Sequence, residues 1–518
     1  MEGVSILQVL RLFLIFPYLY GFGYVLGRVI FRRGDFAFSL FLSLAVWSVL
    51  GWFSFGFLKP ISWILTLVGV FGVFWGFRDL MGELKIILGF LAAIILRFLI
   101  MLPLNFPYGN DPIMHVYTTS TIIRHGGFYP LFEPFGVEGM GSFNLGFHYI
   151  SASISYVTGL DPVSSVILTA HIFWGAFFLA VNTFVNSPIL SFVISFASLG
   201  ISTFMAWGGF PTLSSYSFSI FAFSFSGYLS LPFWLGAFST HFITSSTAFL
   251  AYVIANRKNM DGKFLLGLVI IALILFQQYI SIILGGSDIQ PYENFTLNRF
   301  VVDTFKDSAR ISAIYLIFAF LGYKKFPEIG NKLPVISILF PLIFGILSYI
   351  WALFDLKPHQ VKSLYLIRVL VPLVIPSFMG LKWLLKRVKI LAIPLLLVGV
   401  ISIYRGHKKY SKDPQIWEFV KTFKGDGSWV LVRYGREEAF LPMFGVPAHA
   451  SHYIITHLHE FREKAKKEYF GYVFLREDEK NPAILEAVNK YGILIRDFGK
   501  LKVYKLREKI RGSFFIQG

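Results

Sequence analysis

The run "FLLGLVIIALILFQQYISIILGG", residues 264–286, carries no charged side chain along its length. A helix needs roughly 20 consecutive apolar residues to cross a hydrocarbon core. Similar runs, "ILAIPLLLVGVISIY" among them, recur from residue 4 to about residue 404. A chain with that pattern cannot bury all of its apolar runs inside one soluble core, so it reads as a polytopic membrane protein. Composition agrees: the 518 residues are 55% hydrophobic and only 15% charged, against roughly a quarter charged in soluble domains. The first apolar run continues past residue 30 without a small-residue cleavage site, which points to a retained helix rather than a cleaved signal.

The formal charge of +18 would suit a nucleic-acid partner, but much of the excess lies in short loops between apolar runs. Arg28, Arg32 and Arg33 form one such cluster, and others fall at Arg78 and Lys85, at Arg257, Lys258 and Lys263, at Lys324, Lys325 and Lys332, and at Lys382, Lys386, Arg387 and Lys389. Assigning all of them to the cytoplasm gives one self-consistent path under the positive-inside rule. Helices near 5–30, 36–57, 61–77 and 86–104 then alternate, and residues 105–143 emerge outside; that loop holds a single Arg and no Lys. From 144 to about 235, Gly, Pro, Ser and aromatic residues interrupt the runs, and about four short or broken helices are expected. Clearer helices follow near 236–256, 264–286, 311–323, 333–354, 364–382 and 390–405. That leaves 287–310 and 355–363 outside and gives about 14 crossings in all. Arg97 lies inside a crossing and reads as snorkelling to the interface.

From about residue 411 the character changes. Strand-like runs ("SWVLVRYG", "GYVFLRE", "YGILIRD", "KLKVYKL") alternate with helical ones ("DPQIWEFVKTF", "ITHLHEFREKAKKEYF", "NPAILEAVNK"), the pattern of a small soluble α/β domain. The expected organisation is therefore N-terminal transmembrane helices over 1–104, an outer loop at 105–143, and further transmembrane helices over 144–410 with an outer loop at 287–310. A C-terminal α/β domain over 411–518 completes it, outside by the count of crossings. Zero cysteines exclude disulfides, thiolate metal sites and a Cys nucleophile.

The outer loop concentrates polar chemistry in "FPYGNDPIMHVYTTSTIIRHGGFYP", residues 106–130. Asp111, after Gly109 and Asn110 and before Pro112, has the pattern of an N-capping Asp with Pro at the first helical position. Asp111 and His115 are four apart and share a helix face, with Thr118 and Thr119 one turn further on. Two readings stand: Asp111 is a cap and His115 a solvated loop residue, or Asp111 is a general base for an acceptor with His115 at the ligand.

Asp111 near the start of the first large outer loop, followed by a helix, "HGGFYP" and "GFHYISASISYVTGLDP", resembles the GT-C superfamily of polyprenyl-phosphate-dependent glycosyltransferases. Relatives there include protein mannosyltransferases, aminoarabinose transferases and oligosaccharyltransferase catalytic subunits. The sharp match is limited to residues 109–162. The resemblance implies that Asp111 stands at the catalytic base position and that His115 and His148 lie near the site. It implies a polyprenyl- or dolichyl-phosphate-linked sugar donor, a glycan, protein or lipid acceptor, and a multi-pass cell-membrane location with the active site and C-terminal domain extracytoplasmic. Arg368, followed by Pro372, is similar to the Arg the family carries in a late helix and would hold the departing lipid phosphate; an interfacial snorkelling Arg is the other reading. Relatives cover the donor with a loop in the region 287–310, which makes Arg299 and Arg310 further phosphate candidates beside the plainer reading of solvated charges.

The chain departs from the family in lacking the WWDYG motif and any D-x-D pair in its outer loops. No metal ligand set and no cofactor are assigned, and a divalent cation stays open although no D-x-D motif is present. Glu133 and Glu138 share the outer loop with Asp111 as second-carboxylate candidates. His241 in "FSTHFITSS" either lines a cavity with Thr240, Thr244 and Ser245 or bonds a neighbouring helix. The histidines at 449, 452, 457 and 459 lack regular ligand spacing and read as a surface loop and helix. Trp207, Tyr216, Trp234 and Trp351 read as interfacial aromatics, with sugar stacking as the alternative. The expectation is an inverting glycosyltransferase. Its rival is a transporter or flippase of lipid-linked saccharides, which would show internal repeats and mid-membrane ionisable groups.

Overall fold

The computed structural model describes residues 6–104, 111–132, 137–138, 144–202, 204–284, 297–339, 343, 347, 370–409, 411–432, 436–449 and 458–516. Six helices among these are long and apolar enough to cross a membrane: Leu10–Phe31, Phe36–Phe53, Leu58–Trp75, Leu84–Met101, Pro162–Val185 and Lys389–Lys409. The first four follow the expected order. The expected total of about 14 counts many shorter pieces between 188 and 256 that do not span by length alone, such as Pro188–Ala197, Phe210–Ala222, Leu231–Thr240 and Phe242–Asn256.

Pro162–Val185 is one continuous helix inside the stretch expected to be broken. Asp161 caps it by accepting from the Val163 and Ser164 amides, Pro162 opens it, and Thr169 Oγ1 donates to the Ser165 carbonyl at 2.7 Å. Local bonding of this kind lets hydroxyl side chains sit inside a buried helix without interrupting it. The crossing expected over 236–256 is instead broken at His241, whose backbone is extended (φ −158°, ψ 108°) and whose ring nitrogen accepts from the Thr244 amide at 3.3 Å. The loop expected over 287–310 is helical in its second half, because Leu297–Lys325 forms one helix. Polar residues had hidden that continuity, since they lower hydropathy without lowering helix propensity.

Arg97 does not snorkel. It is fully buried on Leu84–Met101, its guanidinium 4.1 Å from the centre of the Trp174 ring, and its Nη2 donates to the Ser202 carbonyl at 2.7 Å. The chain is non-helical around Ser198–Ser202, and carbonyls freed there need donors when no water reaches them. Tyr315 supplies another, its hydroxyl donating to the Leu199 carbonyl at 2.8 Å. The buried arginine thus satisfies a carbonyl at a helix break.

Leu297–Lys325 packs closely on Val371–Arg387. A Cβ at Gly380 would lie 1.9 Å from the Phe318 carbonyl oxygen, and one at Gly322 would lie 2.0 Å from the Pro376 carbonyl oxygen. Small residues permit this approach, and nothing larger fits. Gly380→Ala is expected to force the helices apart and cost about 1–3 kcal/mol, read as a lower melting temperature in detergent; an unchanged melt would contradict the packing.

The C-terminal domain is a five-stranded sheet in the order β4-β3-β5-β7-β6. Its strands are β3 (Trp429–Leu431), β4 (Ala448–His449), β5 (Tyr469–Arg476), β6 (Gly492–Asp497) and β7 (Leu501–Arg511). The pairs β3–β4 and β3–β5 are parallel, and β5–β7 and β6–β7 antiparallel. Helices Pro414–Thr422, Leu458–Lys467 and Pro482–Tyr491 accompany it. A two-stranded pair earlier in the chain, β1 (Leu131–Phe132) with β2 (Val137–Glu138), completes the sheet structure among the described residues.

Candidate functional site

Asp111–His125 forms a 15-residue helix beginning at the expected aspartate. It is not an amphipathic surface helix. Ile113, Met114, Tyr117 and Ile122 belong to the same hydrophobic core as Ile416, Phe440 and Leu441 of the C-terminal domain, while Val116 packs into the membrane bundle. The helix is wedged between the two bodies, and the shared core puts it on the same side of the bundle as the C-terminal domain.

The paired glycines of "HGGFYP" end the helix. Gly126 adopts φ +71°, and the amides of Gly126 and Gly127 both donate to the Ile122 carbonyl, at 2.9 and 3.2 Å. A left-handed residue closing a helix in this way is normally Gly. The Gly126 carbonyl then accepts from the Leu58 amide at 2.8 Å, and a Cβ at Gly126 would lie 2.1 Å from the Gly56 carbonyl oxygen. These glycines are therefore structural, docking the helix end onto the turn between two membrane helices.

One turn beyond Asp111, His115 Nδ1 lies 3.0 Å from His148 Nε2, and His115 Nε2 lies 2.8 Å from the Gly208 carbonyl oxygen. Since a carbonyl only accepts, His115 Nε2 carries a proton. The contact between the rings then holds one proton, supplied in a neutral pair by His148 Nε2–H. Phe147 and Phe210 pack around His115 with ring centres 5.8 and 5.5 Å away. Gly208 reaches its position through φ +98°, a conformation open to Gly. His115 is thus neither solvated nor in a loop.

His148→Phe preserves bulk but deletes the proton shared with His115. We expect a loss of about 1–3 kcal/mol from the orphaned nitrogen, visible as a lower melting temperature, with a local shift of the His115 imidazole resonances. A variant as stable as wild type with unperturbed His115 signals would rule the pairing out.

The two histidines named from sequence therefore meet, and Asp111 shares the helix face of His115 by spacing. What sequence reading missed is the Gly208 carbonyl; the Gly-Gly-Phe-Pro in "AWGGFP" was its only signal. The Asp111 side chain lies outside the described residues, as do Glu133 and Arg368; the described late helix begins at Val371. Arg299 and Arg310 stand on Leu297–Lys325, and Glu138 on β2 opposite Leu131, with their side chains outside the described residues. His241 caps the helix Phe242–Asn256. His449 is in β4 and stacks on Phe461 at 5.4 Å, not on a surface loop; His452 and His457 lie outside the described residues. Tyr216 and Trp234 are fully buried in the bundle rather than interfacial. Among the described residues no cluster of three or more His, Asp or Glu has the arrangement of a metal site.

No family model matches the sequence, and no curated protein matches it significantly. Among solved structures, the cryo-EM structure of the arabinofuranosyltransferase AftD from Mycobacteria superposes with a TM-score of 0.47 at 12% identity, covering 82% of this chain. The chain corresponds to 40% of the length of that protein.

Proposed function

We propose that this protein is a membrane glycosyltransferase of the inverting GT-C type, which moves one sugar from a polyprenyl-phosphate carrier to an acceptor outside the cell membrane. The observation that supports it best is the placement of Asp111–His125: a carboxylate residue opens a helix held between the membrane bundle and the C-terminal domain, one turn from a partly buried histidine pair. An enzyme needs its base on a rigid element at the boundary between a lipid donor and a polar acceptor.

In the proposed reaction the acceptor hydroxyl attacks the anomeric carbon and its proton passes to Asp111. The new carbon–oxygen bond forms on the face opposite the phosphate, the anomeric carbon–phosphate oxygen bond breaks, and the lipid phosphate leaves with the bonding electrons. Arg368, with Arg299 or Arg310, would hold that phosphate. His115, fixed by His148 and the Gly208 carbonyl, would position ligand beside the carboxylate. No covalent intermediate is needed, because a phosphate is already an adequate leaving group once its charge is stabilised.

The experiment is transfer of radiolabel from polyprenyl-phosphate monosaccharides to membrane extract by the purified protein. Acceptor labelling with release of unglycosylated lipid phosphate is expected. Donor lipid crossing liposome leaflets without any transfer would replace this reading with that of a flippase.

A further inference from the structure

A groove of about 1000 Å³ lies away from the His115 face of the 111–125 helix. It touches that helix at Ser120, five residues from His115, and five residues turn a helix by about 140°. Its lower walls come from membrane-spanning helices: Ile94, Ile95 and Phe98 from Leu84–Met101, and Ile167 and His171 from Pro162–Val185. Ile95 and Phe98 are exposed side chains on a helix long and apolar enough to cross a membrane. Its upper wall belongs to the C-terminal domain, through Trp417, Met443 and Phe444. The groove therefore straddles the membrane interface, apolar below and roofed by the soluble domain above.

One cation lines the groove and a second lies beside its rim. Lys421 lines the groove itself, half-exposed and paired with Glu418 at 2.6 Å. The guanidinium of Arg11 lies over Gly159, next to the lining residues Leu160 and Asp161; a Cβ on Gly159 would be 2.9 Å from Arg11 Nη1. Asp161 is committed to its own helix, accepting from the Val163 and Ser164 amides. The volume is at the upper end of ligand-sized pockets. Its wall exposes hydrocarbon to the bilayer, so the occupant is amphiphilic, with a chain against Ile95 and Phe98 and an anionic head at the cations.

We propose that this groove is a binding site for an anionic phospholipid of the surrounding membrane, its phosphate between Arg11 and Lys421 and an acyl chain running down between Leu84–Met101 and Pro162–Val185. An ordinary annular lipid has no protein above it. Here Trp417, Met443 and Phe444 cover the upper chain, so the lipid joins the C-terminal domain to the bundle beside the 111–125 helix. The site does not depend on the glycosyltransferase reading, and it would stand if that reading failed.

The test uses the full-length protein in phosphatidylcholine nanodiscs containing a trace of phosphatidylglycerol with a diazirine in its acyl chain. After illumination, peptide mapping is expected to place adducts on Ile95, Phe98, Ile167 or Met443 in excess over exposed Leu397, which does not line the groove. Unlabelled phosphatidylglycerol should compete, and phosphatidylcholine should not. Arg11→Glu with Lys421→Glu should cut labelling at the groove by about thirtyfold or more, since the attraction of two interfacial cations toward an anionic headgroup is lost together. Val163→Trp, which fills the groove without touching the charges, should lower the same adducts. Uniform labelling of groove and outer surface, or equal competition by phosphatidylcholine, would overturn the proposal. So would displacement by polyprenyl monophosphate at lower concentration than by phosphatidylglycerol, which would assign the groove to an isoprenoid. If the charge-reversed protein does not fold, the competition series on wild type decides alone.

Discussion

Asp111→Asn is expected to lower sugar transfer by about 10²–10⁴-fold, the range a positioned general base contributes, while leaving donor binding and the melting temperature close to wild type. Asn retains the shape and hydrogen-bonding capacity needed to open the Asp111–His125 helix. It cannot take a proton from an attacking hydroxyl. A carboxylate acting only as a cap would therefore leave the rate almost unchanged in this variant. A base would show a collapse in kcat with little change in the KM for the lipid donor, and the wild-type fall in rate on acidification would disappear from the residual activity. Asp111→Glu, which restores the carboxylate one methylene further out, should recover part of the rate. Transfer by Asp111→Asn at more than a tenth of the wild-type rate would remove Asp111 from the mechanism and return it to the helix.

How far the sequence discloses this arrangement depends on the range of the interactions involved. Local patterns were legible. Asp-Pro at 111–112 marked a helix start, and the helix begins there. The alternation of apolar residues in the tail marked four strands and three helices that the structure contains, missing only the two-residue β4 and the turn Glu437–Phe444. What could not be read was pairing between distant segments. His115 and His148 are 33 residues apart and meet through the packing of two helices, and Gly208 joins them from 93 residues away.

Polar residues in the bundle were the main source of misreading. Hydropathy treats Ser and Thr as interruptions, yet in Pro162–Val185 they bond to their own helix. It treats Arg97 as a charge seeking water, yet a broken helix 105 residues away offers it a carbonyl. The same rule concealed the first turns of Leu297–Lys325, where charged residues occupy a continuous helix. In each case the partner that satisfies the polar group is set by tertiary structure, whose cost or benefit a one-dimensional window does not contain.

Arg476→Met should destabilise the junction between the C-terminal domain and the 111–125 helix by about 3–5 kcal/mol, the usual consequence of removing one member of a buried charge cluster. Arg476 ends β5, and its guanidinium reaches two carboxylates on the turn Glu437–Phe444: Nε donates to Glu438 Oε1 at 2.9 Å and Nη2 to Glu437 Oε2 at 2.7 Å, with a further contact to Glu438 Oε2. All three side chains are at most 5% exposed. The same turn carries Phe440 and Leu441 into the core shared with Ile113 and Met114, so loosening it should be felt at the helix that begins with Asp111. Hydrogen exchange at 437–444 and at 111–118 should accelerate together in Arg476→Met. Adding Glu438→Gln should restore much of the stability, because the excess carboxylate is then gone and Glu437 still faces Lys412; if the single variant does not fold, this combined one still carries the test. Lys412, buried beside the cluster, is drawn down from 10.5 to about 8 by burial, which Glu437 and Glu438 only partly offset. Between those two values the unfolded chain holds a proton that the folded chain has released, so stability should rise as pH increases from about 8 toward 10.5 and the penalty should be fully present below 8. Lys412→Gln should flatten that rise. An Arg476→Met protein that melts with wild type, or a pH dependence indifferent to Lys412, would mean that the apolar contacts alone hold the junction.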